Sequence, residues 1–246
     1  ALTDAGIGAV QYAVADPGVA SGGGATVLEG RGIAATLTPD ARAEALNRRW
    51  SRAVALGRPY VIAKWASTLD GRMAAADGTS FWITGEAARE HAHAVRASVD
   101  AIAVGTGTVM SDDPMLSARP GARDAEHQPL RVVVGERDTA GARVWRDANA
   151  VAVRSHDPGD ALRELAAREV RTLVVEGGPT LLSAFLRAGL VDEIHAYIAP
   201  ALLGAGPTVV ADLGIETMAD ALRGEDVTSQ PLGADTLVTA RLTRGV

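Results

Sequence analysis

At 246 residues, with 47% hydrophobic and 22% charged residues, the chain has the apolar material for one large α/β domain or a domain with an appendage, and it is not a disordered tail protein. A net charge of −6 gives no electrostatic reason to expect nucleic acid or an anionic membrane as partner, so any phosphate must be held locally. With no cysteine there is no disulfide framework, thiolate zinc site or cysteine nucleophile. The apolar stretches are broken well short of the ~20 residues that span a bilayer. The start carries no secretory pattern, which makes the cytoplasm the expected location.

In chain order, residues 7–14 read as a strand, followed by the turn-rich Asp16-Pro17-Gly18 and the triple glycine at 22–24. A short helical stretch and a second apolar run at 33–37 come next. Thr38 as N-cap and Pro39 at the first helical position then predict a helix running to Gly57. From Tyr60 strands and helices alternate. Strands are expected at 60–67, 99–104, 130–135, 150–154 and 171–176, and helices at 86–98 (started by Thr84), 160–169 and 179–189. Strand candidates at 192–199, 226–231 and 236–242 close the chain. The alternating middle predicts a mostly parallel sheet with helices on both faces, and the strand-rich end an antiparallel edge. Ligands of such sheets bind at the carboxyl ends of the strands.

Two glycine clusters fall at that end. Val104-Gly105-Thr106-Gly107-Thr108 starts like a dinucleotide fingerprint, but Met110 occupies the place of the third glycine and no acidic residue ends a strand about 20 residues on, so a standard Rossmann site is not expected. Val175-Glu176-Gly177-Gly178-Pro179-Thr180 places a helix N-terminus after a glycine turn, a ready anion site. Either cluster alone reads equally as a tight strand-to-helix turn; two together favour a phosphate-bearing cofactor across them. His91 and His93 are two apart on a predicted helix, face different directions and match no metal-ligand spacing, so they read as surface or satisfied histidines and no metal is expected. The basic residues are 23 Arg and a single Lys, Lys64, inside the apolar run Tyr60-Val61-Ile62-Ala63-Lys64-Trp65-Ala66. A site needing a compact ammonium cannot accept a guanidinium, which makes Lys64 a functional candidate.

The succession of Lys64, Leu69-Asp70-Gly71-Arg72, Gly78-Thr79-Ser80-Phe81-Trp82-Ile83-Thr84-Gly85, Arg96, Gly105 to Thr108, Asp112-Asp113-Pro114-Met115-Leu116, Arg119 and Glu176-Gly177-Gly178-Pro179 resembles the riboflavin-biosynthesis pyrimidine reductase family over residues 58–243. Thr68 stands where Ser is usual before Leu-Asp-Gly. The resemblance implies a dihydrofolate-reductase-like α/β fold at 58–246, preceded at 1–57 by a short α/β remnant similar to the tail of a deaminase domain, with its connector helix. It implies NADPH-dependent reduction of 5-amino-6-(5-phosphoribosylamino)uracil, by hydride transfer to C1′ of a ring-opened ribosylamine, in a homodimer.

Carried over position by position, Ser80, Arg96, Leu116, Arg119 and Glu176 match substrate contacts, the two arginines suiting a ribose phosphate. Ala66, Trp82, Thr108, Asp112 and the run Gly178, Pro179, Thr180, Leu181, Leu182, Ser183 and Ala184 match cofactor contacts. Lys64 matches a lysine near the sugar. Arg137, after the strand ending at Gly135, is a candidate for the cofactor 2′-phosphate. By themselves Ser80 also reads as a turn residue, Asp112 as a cap and Arg96 as a solvated helix charge. The competing functions are a reductase of the same fold acting on a pterin or folate, and a non-catalytic nucleotide-binding module, which would have no need for Lys64 or the arginine pair.

Overall fold

The computed structural model describes residues 2–19 and 21–243. Residues 1, 20 and 244–246, which belong to the segments 1–57 and 58–246 drawn from sequence, lie outside the described residues. The chain divides into two units, Ala1–Pro59 and Tyr60–Val246.

In the first unit β1 (Ala9–Tyr12) pairs in parallel with β2 (Ala34–Leu37), with α1 (Gly24–Glu29) between them and α2 (Ala41–Leu56) following. The α2 cap is Asp40, whose carboxylate accepts from the amides of Arg42 (2.8 Å) and Ala43 (3.0 Å). Thr38 does not cap, because it extends the ladder: its amide donates to the Tyr12 carbonyl at 2.8 Å and its hydroxyl accepts from Gln11 Nε2 at 2.7 Å. Pro39 accordingly precedes the helix, and the better acceptor one residue on starts it.

The second unit is an eight-stranded sheet. Its strands are β3 (Tyr60–Thr68), β4 (Ala101–Gly105), β5 (Leu130–Val134), β6 (Ala150–Val153), β7 (Thr172–Val175), β8 (Glu193–Ala199), β9 (Gly224–Leu232) and β10 (Asp235–Leu242), in the order β6-β5-β4-β7-β3-β8-β10-β9. Every pairing from β6 to β8 is parallel, and β10 runs antiparallel to both β8 and β9, as the apolar patterning predicts. The connecting helices are α3 (Glu86–Ala97), α4 (Thr106–Asp112), α5 (Pro158–Ala167) and α6 (Pro179–Arg187).

Alternation along the strands sorts the two faces. Val61 and Ala63 of β3, Ala101 and Ala103 of β4, and Leu173 and Val175 of β7 are buried with Leu162 and Leu165 of α5 and Leu182 and Phe185 of α6. On the opposite face Ala88 and Ala92 of α3 meet Tyr197 and Leu237. The intervening positions, Lys64 on β3 and Glu176 one residue past β7, therefore fall on the α3 face.

Two helix starts differ from the sequence reading. Gly85, not Thr84, precedes α3, and its amide is held by Asp235 Oδ2 at 2.6 Å, while Thr84 is buried. A start at residue 160 misses that Asp157 caps α5 through the Gly159 amide and that Pro158 takes the first helical position, the place where its missing N–H costs nothing.

Gly177 makes the close turn from β7 into α6, since a Cβ there would lie 2.8 Å from Leu181 Cβ and 2.9 Å from its Cδ2. Gly177→Ala is expected to destabilise the second unit by about 1–3 kcal/mol through overpacking, read as a lowered midpoint in denaturant unfolding. An unchanged midpoint contradicts the close approach.

Candidate active site

Glu176 is the centre of the site. Its amide donates to the Ala103 carbonyl at 2.9 Å, carrying the β4–β7 pairing one residue past the strand and fixing where the carboxylate emerges. Arg96, in the last turn of α3, grips that carboxylate with two parallel bonds, Nε to Oε1 at 2.8 Å and Nη2 to Oε2 at 2.7 Å. Lys64 Nζ donates to Oε2 at 3.3 Å. The side chains of Lys64, Arg96 and Glu176 are only 15%, 19% and 9% exposed, so these charges meet largely out of water. Burial alone pushes the Glu176 carboxyl toward protonation. The charges of Arg96 and then Lys64, with their hydrogen bonds, overcome it and hold the group well below the usual carboxylate range.

Tyr197 on β8 forms the floor under Lys64, with the ammonium 5.3 Å from its ring centroid. The phenol is buried and bonded to His91 Nδ1 at 2.8 Å. Burial, then the Glu176 charge, raises the Tyr197 pKa, and burial, then His195, lowers that of His91. A neutral phenol therefore shares this bond with a neutral imidazole, the donor being set by the His91 tautomer. Behind it His195 is buried with Nε2 2.6 Å from Glu193 Oε1.

The segment from Leu116 to Gly121 is fastened residue by residue. Leu116 is buried with φ of 52°, a left-handed conformation costly for a branched side chain. The Ser117 carbonyl accepts from Arg96 Nη1 at 3.2 Å, Gln128 bonds both the amide (2.9 Å) and the carbonyl (2.8 Å) of Ala118, the Arg119 amide donates to His93 Nδ1 at 3.2 Å, and the Gly121 amide donates to Glu90 Oε1 at 2.5 Å. Arg119 is exposed. Arg96 spends its fork on Glu176 and a third of its five donors on Ser117.

The two glycine turns lie side by side at the carboxyl ends of the adjacent strands β4 and β7. Gly105 precedes α4 and Gly178 precedes α6, and the Gly178 amide reaches Thr108 Oγ1 at 3.3 Å. Thr180 is exposed, Pro179, Leu181 and Ala184 are half-buried, and Leu182 and Ser183 are fully buried. Ser183 Oγ accepts from the Ala211 amide at 2.8 Å, so these last two serve the core rather than the open end. Arg137 leans over the first turn, with Nε 3.4 Å from Thr106 Oγ1 and Nη2 2.9 Å from the point a Cβ on Gly107 would occupy.

Ser80 and Trp82 stand exposed on the loop before α3, where the Arg89 guanidinium covers the Trp82 ring at 4.1 Å. Ala66 packs against the Tyr197 cluster, and Asp112, exposed at the end of α4, accepts from Ser111 Oγ at 2.7 Å. Asp70 of the Leu69-Asp70-Gly71-Arg72 motif is a staple. It accepts from Thr68 Oγ1 (2.5 Å), and from the Leu203 (3.2 Å) and Gly204 (2.7 Å) amides, which with the Thr68 bond foremost lower its pKa to about 2. No group of three or more metal-ligating side chains occurs among the described residues. Sequence reasoning missed Tyr197, His91 and His93. Only the i, i+3 spacing of His93 and Arg96 on one helix face signalled any of them.

Glu176→Gln leaves a desolvated guanidinium and ammonium without their counter-charge and is expected to cost about 3–5 kcal/mol of stability at neutral pH. Because the folded-state pKa is depressed, the wild-type advantage is fully present above the ordinary carboxylate range and shrinks as pH falls below about 4. Chemical denaturation across pH checks this, and a gap that is small at pH 7 or grows on acidification contradicts it.

Comparison with known proteins agrees with this geometry. The model of the RibD C-terminal domain family matches residues 59–238. Riboflavin biosynthesis protein RibD of Mycobacterium tuberculosis is 46% identical over 245 residues, covering 97% of this chain and 71% of that one. The solved Acinetobacter baumannii RibD superimposes with a TM-score of 0.90 at 32% identity, covering 99% of this chain and 75% of that one. The Thermotoga maritima diaminohydroxyphosphoribosylaminopyrimidine deaminase/5-amino-6-(5-phosphoribosylamino)uracil reductase gives 0.82 at 26%, covering 98% and 73%. Enterococcus faecalis dihydrofolate reductase, at 13% identity and a TM-score of 0.52 over 75% of this chain and 97% of its own, shares the fold alone.

Proposed function

The chain belongs to the RibD C-terminal domain family, and from that premise we propose that it reduces 5-amino-6-(5-phosphoribosylamino)uracil to the ribitylamino product with NADPH. The observation that carries this reading is a carboxylate held ionised by Arg96 and Lys64 beside two adjoining glycine turns. A buried, permanently ionised acceptor suits a ring that presents amino and N–H donors. Oε1 receives one bond in the structure, so it keeps a lone pair for a pyrimidine donor. A pterin presents similar donors, but it has no phosphate for the exposed Arg119.

The glycine turns suit a dinucleotide. Gly178 precedes α6, whose N-terminal amides suit a pyrophosphate, and the Gly178 amide itself reaches Thr108 Oγ1 at 3.3 Å. Thr108, Gly178, Pro179, Thr180 and Leu181 would hold that end, with Ala66, Trp82, Asp112 and Ala184 as further contacts and Arg137 at the 2′-phosphate. NADPH, when bound, supplies the hydride.

The protein orients the sugar and supplies the proton. The bond from C1′ to the ring oxygen breaks with its electron pair going to oxygen, that oxygen takes up one proton, and C1′ of the resulting protonated imine gains the hydride. Lys64 donates one bond to Glu176 and stacks on Tyr197, which leaves ammonium protons to aim at the ring oxygen. Its interaction strengthens as charge develops, so it acts on the transition state. Glu176 fixes the pyrimidine, Ser80 and Leu116 complete the contacts, and Arg119 binds the phosphate. Residues 1–57 are read as the closing part of a deaminase-like domain, and the match to the M. tuberculosis relative runs over 97% of this chain. The same reading includes a cytoplasmic homodimer; β9, exposed along almost its whole length at the sheet edge, is a candidate interface.

NADPH oxidation at 340 nm is expected with the phosphoribosylaminouracil and not with dihydrofolate, and NADH should support far less turnover. Lys64→Met keeps the stem and deletes the charge, so it should lower kcat by at least about tenfold with little change in KM, as befits an interaction made in the transition state. Wild-type kcat in that variant removes Lys64 from the chemistry. Turnover of dihydrofolate alone removes the proposed substrate.

A further inference from the structure

His93 Nδ1 lies between two backbone groups of the segment that carries Arg119, 3.1 Å from the Ser117 carbonyl oxygen and 3.2 Å from the Arg119 nitrogen. One ring nitrogen cannot serve both. A bare Nδ1 accepts from the Arg119 amide, and a protonated Nδ1 donates to the Ser117 carbonyl. In the first state both of these backbone groups are partnered, because Arg96 Nη1 already donates to the Ser117 carbonyl at 3.2 Å. In the second the Arg119 amide loses its partner, and His93 competes with the guanidinium that holds Glu176.

We propose that His93 is the positioning residue for Arg119. As a neutral imidazole with a bare Nδ1 it anchors the Arg119 amide, and protonation exchanges that bond for the Ser117 carbonyl and releases the segment. The inference rests on the reading in which Arg119 binds the substrate phosphate, and it makes affinity for that phosphate depend on the charge of His93. The charged groups facing the ring are Arg96 on its own helix, Arg119 on the segment and Glu176 past β7, while Glu90, one turn earlier on α3, holds the Gly121 amide. Burial first, then the two guanidinium charges, push the imidazole below its ordinary pKa against the opposing pull of the Ser117 carbonyl and Glu176. The ring is therefore neutral at neutral pH, and its Nε2–H tautomer is the anchoring state. The spacing matters: Arg96 sits three residues on from His93 on the same face, so one helix holds both the carboxylate of the site and the backbone that presents the phosphate ligand.

The test uses the full chain with histidines labelled in 15N. His93 is expected as the Nε2–H tautomer at pH 8, with the Arg119 amide resonance moving at the same midpoint as the His93 ring, below the ordinary imidazole value. In kinetics, KM for the phosphorylated substrate should rise as pH falls through the His93 midpoint, below the ordinary imidazole value, with a smaller change in kcat. His93→Asn places an untitratable amide oxygen where Nδ1 sits and should keep a low, flatter KM. His93→Ala should show a raised KM at every pH. The second ionisation of the substrate phosphate, near pH 6, contributes equally in all variants, so the difference between wild type and variant reads His93. An Nδ1–H tautomer at neutral pH, or a wild-type KM profile in both His93 variants, overturns the inference. Arg119→Ala separates the two levels. An unchanged KM there overturns the phosphate reading itself, and a raised KM with a wild-type profile in His93→Asn overturns only the role of His93.

Discussion

A carboxylate almost wholly removed from water must be protonated or paired, and Glu176 is paired twice over. The planar fork of Arg96 satisfies both oxygens and Lys64 adds a second cation, so ionisation survives desolvation. Much else in the second unit is arranged around that constraint. The β4–β7 pairing extends one residue to set the carboxylate's position, α3 lies across the sheet at the place its last turn can reach it, and Tyr197 closes the floor beneath the ammonium. The net positive charge left in the site is what a phosphorylated, hydrogen-bond-donating substrate complements.

The sheet order explains why these parts converge. β7 enters between β4 and β3, so the carboxyl ends of β4 and β7 bring the two glycine turns together, and Lys64 on β3 faces the same side as Glu176. One end of one sheet thus holds an anion-binding pair of turns on one flank and a charged cluster on the other, the arrangement that open α/β sheets use for ligands. The residues that keep the loops in register lie outside the chemistry. Asp70 staples the 203–204 turn, Gln128 clamps Ala118, and buried Arg131 ties β5 to the carbonyl of Val144 and to Asp147.

The parallel strands were legible because each is a short apolar run between turn residues, and burial on both faces demands that pattern. Helix starts were less so. At Thr38 a β-ladder bond competed with capping and won, and at Thr84 the anchor is Asp235, 150 residues away from Gly85. In the site, the rarity of lysine singled out Lys64 and the glycine turn singled out Glu176. The pairing of Arg96 with Glu176 was not readable, since nothing local states which acid an arginine will meet. Tyr197 and His91 meet across 106 residues and belong to no motif. The two histidines do face different ways, as their spacing requires, yet one meets β8 and the other the segment of Arg119, so neither is an idle surface group.

The ionised state of Glu176 is the central claim, and 13C detection of its side-chain carboxyl in the intact chain reads it directly. The account predicts a carboxylate signal that stays constant as pH is lowered to about 4 while exposed glutamates titrate around their ordinary value. A Glu176 signal that titrates with them, or that is already protonated at pH 7, would contradict it.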